Sequence, residues 1–142
     1  MIKIENVSKA FREKIVLSKI SFTANEGEVT ALIGPNGSGK STLLKILLGL
    51  ISTDEGRATF DGKNYGELGK YPFRYVGTFL DSFQPNPTRT AYNHLRWIAL
   101  TSGISKQRCL ECLKIVGLQD VGNKKIKDYS LGMKQRLGLA TA

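Results

Sequence analysis

Residues 34–42 read Gly-Pro-Asn-Gly-Ser-Gly-Lys-Ser-Thr, and no other stretch constrains the chain as strongly. They fit the P-loop pattern G-x-x-x-x-G-K-[ST], with Gly34, Gly39, Lys40 and Ser41 at the fixed positions. Glycines let a backbone curl until successive N–H groups point inward at phosphate oxygens. Gly34, Pro35, Asn36, Gly37, Ser38 and Gly39 would form that cradle. A helix beginning at the end of the loop adds unpaired N–H groups and the positive end of its dipole. Lys40 then reaches the β- and γ-phosphates, Ser41 offers a hydroxyl to Mg²⁺, and Thr42 completes the phosphate-binding run.

The flanks carry the pattern that such a loop requires. Val29-Thr-Ala-Leu-Ile33 is apolar and β-branched, which predicts a buried strand. Thr42–Leu50 consists mostly of helix formers. Alternation predicts strands around Ile2–Ile4 and Val16–Phe22, a short strand at Arg57–Phe60, and a buried strand at Tyr75–Leu80. Helical spacing then covers about 90–102 and 105–116, and a final helix starts near Ser130. Strands dominate the first half and helices the second. The expected class is α/β, a nucleotide-binding fold with a β-rich core over about 1–84 and a helical lobe over about 85–142.

Charge and cysteine content narrow the partners. The 142 residues carry a net charge of +9, concentrated near the C-terminus at Lys124, Lys125, Lys127, Lys134 and Arg136. Such an excess suits anionic partners, but the single Tyr129 within it is too little aromatic interleaving to support a single-strand nucleic-acid groove. Cys109 and Cys112 lack a second pair to complete a four-ligand metal site. They share a helical face with Leu113 and Val116, which predicts packed thiols. The N-terminus has no signal-peptide layout, so a cytoplasmic location is the expectation.

The loop alone leaves kinases, GTPases, helicases and transporters open. A second segment, Tyr129-Ser-Leu-Gly-Met-Lys-Gln-Arg136, lies 130 − 40 = 90 residues beyond the P-loop lysine. It resembles the signature motif of ATP-binding cassette (ABC) proteins, usually L-S-G-G-Q followed by a polar residue, Gln and Arg. Ser130, Gly132, Gln135 and Arg136 match, whereas Tyr129, Leu131 and Met133 depart. The variant is similar to that of bacterial multidrug, lantibiotic and bacitracin-type exporters. Physically, Ser130 suits an N-cap, and Gly132 allows close approach of a phosphate to the backbone.

The resemblance implies a P-loop fold with an antiparallel β-subdomain and a helical lobe. It implies ATP and Mg²⁺ as ligands, with a second ATP-binding subunit and a transmembrane permease as partners. It implies a peripheral position on the inner face of the membrane. Ser130, Leu131, Gly132 and Met133 would face the γ-phosphate of ATP held by the other subunit. Phe11 takes the position of the family's adenine-stacking aromatic. Asp81 takes that of the Q-loop glutamine and would be a weak Mg²⁺ contact beside Ser41. A soluble ABC protein acting on ribosomes or DNA is the alternative that the charge suggests.

Family members continue with a strand ending in Asp-Glu and then a histidine that contacts the γ-phosphate. No run of four apolar residues ending in Asp occurs before Ala142. The expectation is an N-terminal fragment with an incomplete central sheet, an exposed edge and an uncovered apolar face. It would hold ATP weakly and, without catalytic carboxylates, turn over essentially none.

Overall fold

The computed structural model describes residues 1–79 and 84–142. They form two compact units, Met1–Pro72 and Phe73–Ala142. The class is α/β, as expected.

The first unit is built on a three-stranded antiparallel sheet. Strands β1 (Ile2–Phe11), β2 (Lys14–Ala24) and β3 (Glu55–Phe60) lie in the order β2-β1-β3. A two-residue turn joins β1 to β2, with Arg12 at a φ of 54°. Positive φ at the first central residue matches the right-handed twist of the flanking strands. Ile4 and Val7 on β1, Leu17 on β2, and Ala58 and Phe60 on β3 are buried. Helix α1 (Lys40–Leu47) buries Leu43, Ile46 and Leu47 and packs against β3. It is shorter than the run of helix formers, which extends to Leu50. Gly49 adopts a φ of 66°, its amide donates to the Ile46 carbonyl and the Leu50 amide to that of Lys45. This paired closure of the last carbonyls ends the helix.

Two expected strands are absent among the described residues. Val29–Ile33 joins no ladder and its side chains are exposed, Val29 completely and Ile33 by 89%. Tyr75–Phe79 likewise joins no ladder, with Tyr75 exposed and Val76 half-buried, and Leu80 lies outside the described residues. A strand exists only through hydrogen bonds to a neighbour, and its propensity measures packing on that neighbour. The described sheet pairs β1, β2 and β3 only, so neither run is a strand. Val29, Leu32 and Ile33 place apolar side chains at the surface of this unit.

The second unit is helical. Helices α2 (Ala91–Ser102), α3 (Lys106–Ile115) and α4 (Leu131–Thr141) surround a core of Ala91, Leu95, Ala99, Cys109, Leu113, Leu118, Ile126, Tyr129 and Leu137. Cys112 and Val116 pack against it, which places the predicted α3 face inward. Both cysteines are free thiols. Each helix begins on a hydroxyl: Thr90, Ser105 and Ser130 accept from the amides of Asn93, Arg108 and Met133. One such cap stabilises a helix by about 1 kcal/mol.

Candidate functional site

The phosphate-type loop forms around two glycines in left-handed conformations. Gly37 has a φ of 83° and Gly39 a φ of 91°. A Cβ at Gly39 would lie 2.9 Å from the Val16 carbonyl oxygen and 2.7 Å from Leu17 Cδ2. Gly39 thus lets the loop lie directly on β2. Between the glycines, the Ser38 amide donates to the Pro35 carbonyl at 3.2 Å, closing a tight turn. Ser38 Oγ lies where a Cβ on Gly34 would collide with it, at 2.8 Å.

Helix α1 starts directly from this turn. Its N-cap, Gly39, has no side chain with which to satisfy the first-turn amides, and no acidic residue sits in that turn. The amides at the start of α1 therefore favour an anion. Lys40 Nζ donates to the Gly34 and Pro35 carbonyls at 2.7 and 2.8 Å. The lysine folds back over its own loop and holds the loop's two ends together. An ammonium has three donors, so two are used in this clasp and one is left for an anion. The Ser41 side is exposed and Thr42 half-buried. A cleft of about 280 Å³ borders the loop, lined by Leu17, Ile20, Ile33, Pro35, Lys40 and Leu43 among others.

Phe11 ends β1 in the same unit. Its ring is about half exposed, and Lys9 Nζ lies 5.6 Å from the ring centroid. β2 connects the two features: Gly39 rests on Val16 and Leu17, and Leu17 pairs with Lys9, two residues before Phe11.

Ser130 is the N-cap of α4 and accepts from the Met133 amide at 3.3 Å. Leu131 is exposed, and nothing lies within 4 Å of where a Gly132 Cβ would stand. Met133 is half-buried against the helical core. Tyr129 is buried and its hydroxyl donates to the Val121 carbonyl at 2.8 Å. Burial pushes the Tyr129 phenol up from its usual range. Arg136 donates to the carbonyls of Val116 and Gly117, both at 3.1 Å. It ties α4 to the end of α3, a role that its place in the motif does not reveal. Asp81 lies outside the described residues.

An α/β fold carrying this loop defines a P-loop nucleotide-binding protein. A family model described as ABC transporter matches residues 17–142, and the chain belongs to that ATP-binding family. The lantibiotic transport ATP-binding protein SrtF of Streptococcus pyogenes is 36% identical over 140 residues, which cover 99% of this chain and 60% of SrtF. The bacitracin transport ATP-binding protein BcrA of Enterococcus faecalis is 36% identical over 143 residues, covering 100% of this chain and 46% of BcrA. Among solved structures, the dimeric bacterial ABC transporter cassette MJ0796 superposes with a TM-score of 0.81 at 29% identity, covering 99% of this chain and 68% of that one. The chain thus spans 60% or less of the length of these two curated relatives. No helix among the described residues is long and apolar enough to cross a membrane.

Proposed function

We propose that the protein acts as the ATP-binding subunit of an ABC exporter, in which binding and hydrolysis of ATP drive a membrane permease. The observation that carries this reading is the loop at Gly34–Thr42, with its left-handed glycines, uncapped helix start and Lys40 clasp. Gly34–Thr42 hold the phosphates, and the Ser41 hydroxyl holds Mg²⁺. Oxygen donors of this kind suit a hard cation. Phe11 stacks on adenine. Ser130, Leu131, Gly132 and Met133 receive the γ-phosphate of ATP on a second subunit, and Asp81 is the Q-loop residue. The exposed Ser130 and open Gly132 at an α4 N-terminus support the signature role. The names of SrtF and BcrA support export of a peptide-type antibiotic, and the dimeric MJ0796 cassette supports a paired arrangement. The permease would hold the protein against the inner membrane face.

Lys40 carries the test. Its third donor, not used in the clasp to the carbonyls of Gly34 and Pro35, is available to phosphate. Charge-assisted bonds of this kind each contribute about 1.5–3 kcal/mol. Lys40→Ala should therefore weaken Mg·ATP binding by about tenfold or more, read by calorimetric titration. Equal affinity of the two proteins would remove the P-loop from the binding site.

A further inference from the structure

We infer that Asp54 is a positioning residue for nucleotide recognition: it fixes the end of β1 so that Phe11 presents one ring face to the base. The inference rests on the reading of Phe11 as the base-stacking ring.

The end of β1 is anchored to the turn before β3. Asp54 Oδ2 accepts from the Ala10 amide at 2.7 Å, and Oδ1 accepts from Lys9 Nζ at 2.5 Å. The Asp54 amide and Thr53 Oγ1 both donate to the Ser8 carbonyl, each at 3.0 Å. Ser8, Lys9 and Ala10 are thus held by one short segment, immediately before Phe11. These groups are 44 to 46 residues apart in sequence.

The two oxygens of Asp54 do different work. Oδ2 fixes the backbone from which the Phe11 ring projects. Oδ1 fixes an ammonium 5.6 Å from that ring's centroid, within the range of a cation–π contact. The Lys9 side chain is only 12% exposed, so it has little freedom to swing away. With one ring face taken by the ammonium, the other remains for a flat base. The hydrogen bonds from Lys9 and from the Ala10 amide hold the Asp54 carboxyl below its usual range, so the clamp persists at neutral pH.

Stacking depends on ring orientation, whereas phosphate binding at Gly34–Thr42 does not. Asp54→Asn keeps the size of the side chain but removes the charge and sets an amide against one of the two donors. It should weaken ATP binding by about three- to tenfold, part of the stacking contribution. Affinity for inorganic triphosphate, which has no base, should stay unchanged. In a Phe11→Ala background, Asp54→Asn should add no further loss for ATP. Both ligands would be titrated calorimetrically into the full-length protein, with a thermal melt of each variant. Lys9→Met, which leaves the Asp54–Ala10 bond intact, serves as the second variant if Asp54→Asn does not fold. It should show the same selective loss. Equal weakening of ATP and triphosphate would overturn the inference in favour of a merely structural clamp. No effect of Asp54→Asn where Phe11→Ala does weaken ATP would also overturn it, leaving the stacking role of Phe11 standing. No effect of Phe11→Ala itself would overturn the reading of Phe11, and the inference with it.

Discussion

The two left-handed glycines of the loop separate two physical costs, which substitution by alanine can measure. Gly37 has a φ of 83° and open space around it, with nothing within 4 Å of an added Cβ. Gly37→Ala should therefore cost only the backbone strain of an L-residue in that region, about 1–2 kcal/mol. Gly39 has a similar φ of 91°, but its Cβ would meet Leu17 Cδ2 at 2.7 Å and the Val16 carbonyl oxygen at 2.9 Å. The leucine methyl can move, but the carbonyl is β2 backbone, held between Ile15 and Leu17, which pair with Ala10 and Lys9. Overpacking of this kind adds about 1–3 kcal/mol, so Gly39→Ala should cost roughly 2–5 kcal/mol in all. Urea denaturation followed by circular dichroism reads both, provided that the slope with denaturant is unchanged. Because relief of the clash would push the start of α1 off β2, Gly39→Ala should also lose ATP affinity beyond Gly37→Ala. Equal destabilisation by the two substitutions, or a larger effect at Gly37, would refute the claim that the loop is pressed against β2.

Two further outcomes follow from the helical unit. Ser130→Ala should cost about 1 kcal/mol through loss of the bond to the Met133 amide, whereas Ser130→Gly should cost only a few tenths; chemical denaturation distinguishes the pair. His94 is the chain's single histidine and is buried on α2. Burial, with Arg89 adding to it, holds its pKa below the usual 6.5. Above that pH both folded and unfolded chains are neutral at His94, and its full contribution is present. As pH falls through about 6.5 the unfolded chain takes the proton first, so stability declines toward the folded pKa. Denaturation midpoints between about pH 7.5 and 5.5 should show that decline, and His94→Leu should flatten it.

Local chemistry made part of this molecule legible. The P-loop glycines, the Ser130 cap and the inward α3 face at Cys109, Cys112, Leu113 and Val116 each depend on residues within about two turns of one another. Sheet membership does not. Val29–Ile33 has the composition of a buried strand, yet in the described sheet β1 pairs with β2 and β3 and leaves this run exposed. Composition reports that a segment would fit a pleated surface, and only distant partners decide whether it has one. The Asp54 clamp was illegible for the same reason. The partners of its carboxylate lie 44 and 45 residues away, and an aspartate in the run Ser52-Thr-Asp-Glu-Gly56 reads simply as loop.

The departures from the signature pattern divide along the same line. Tyr129 stands where the pattern has an apolar residue, and its environment is core: the ring is buried and the Val121 carbonyl takes its hydroxyl. A buried hydroxyl without a partner would cost about 1–3 kcal/mol, and the turn Gln119–Val121 supplies that partner. That departure is absorbed inside the core of the helical unit. Met133 is likewise taken up on the core side of α4. Leu131 is different, being 73% exposed between Ser130 and the open Gly132. Of the three departures it alone places an apolar side chain on the open surface beside the α4 N-terminus. Any difference in ligand contact between this chain and relatives with the usual motif is therefore expected at Leu131, not at Tyr129 or Met133.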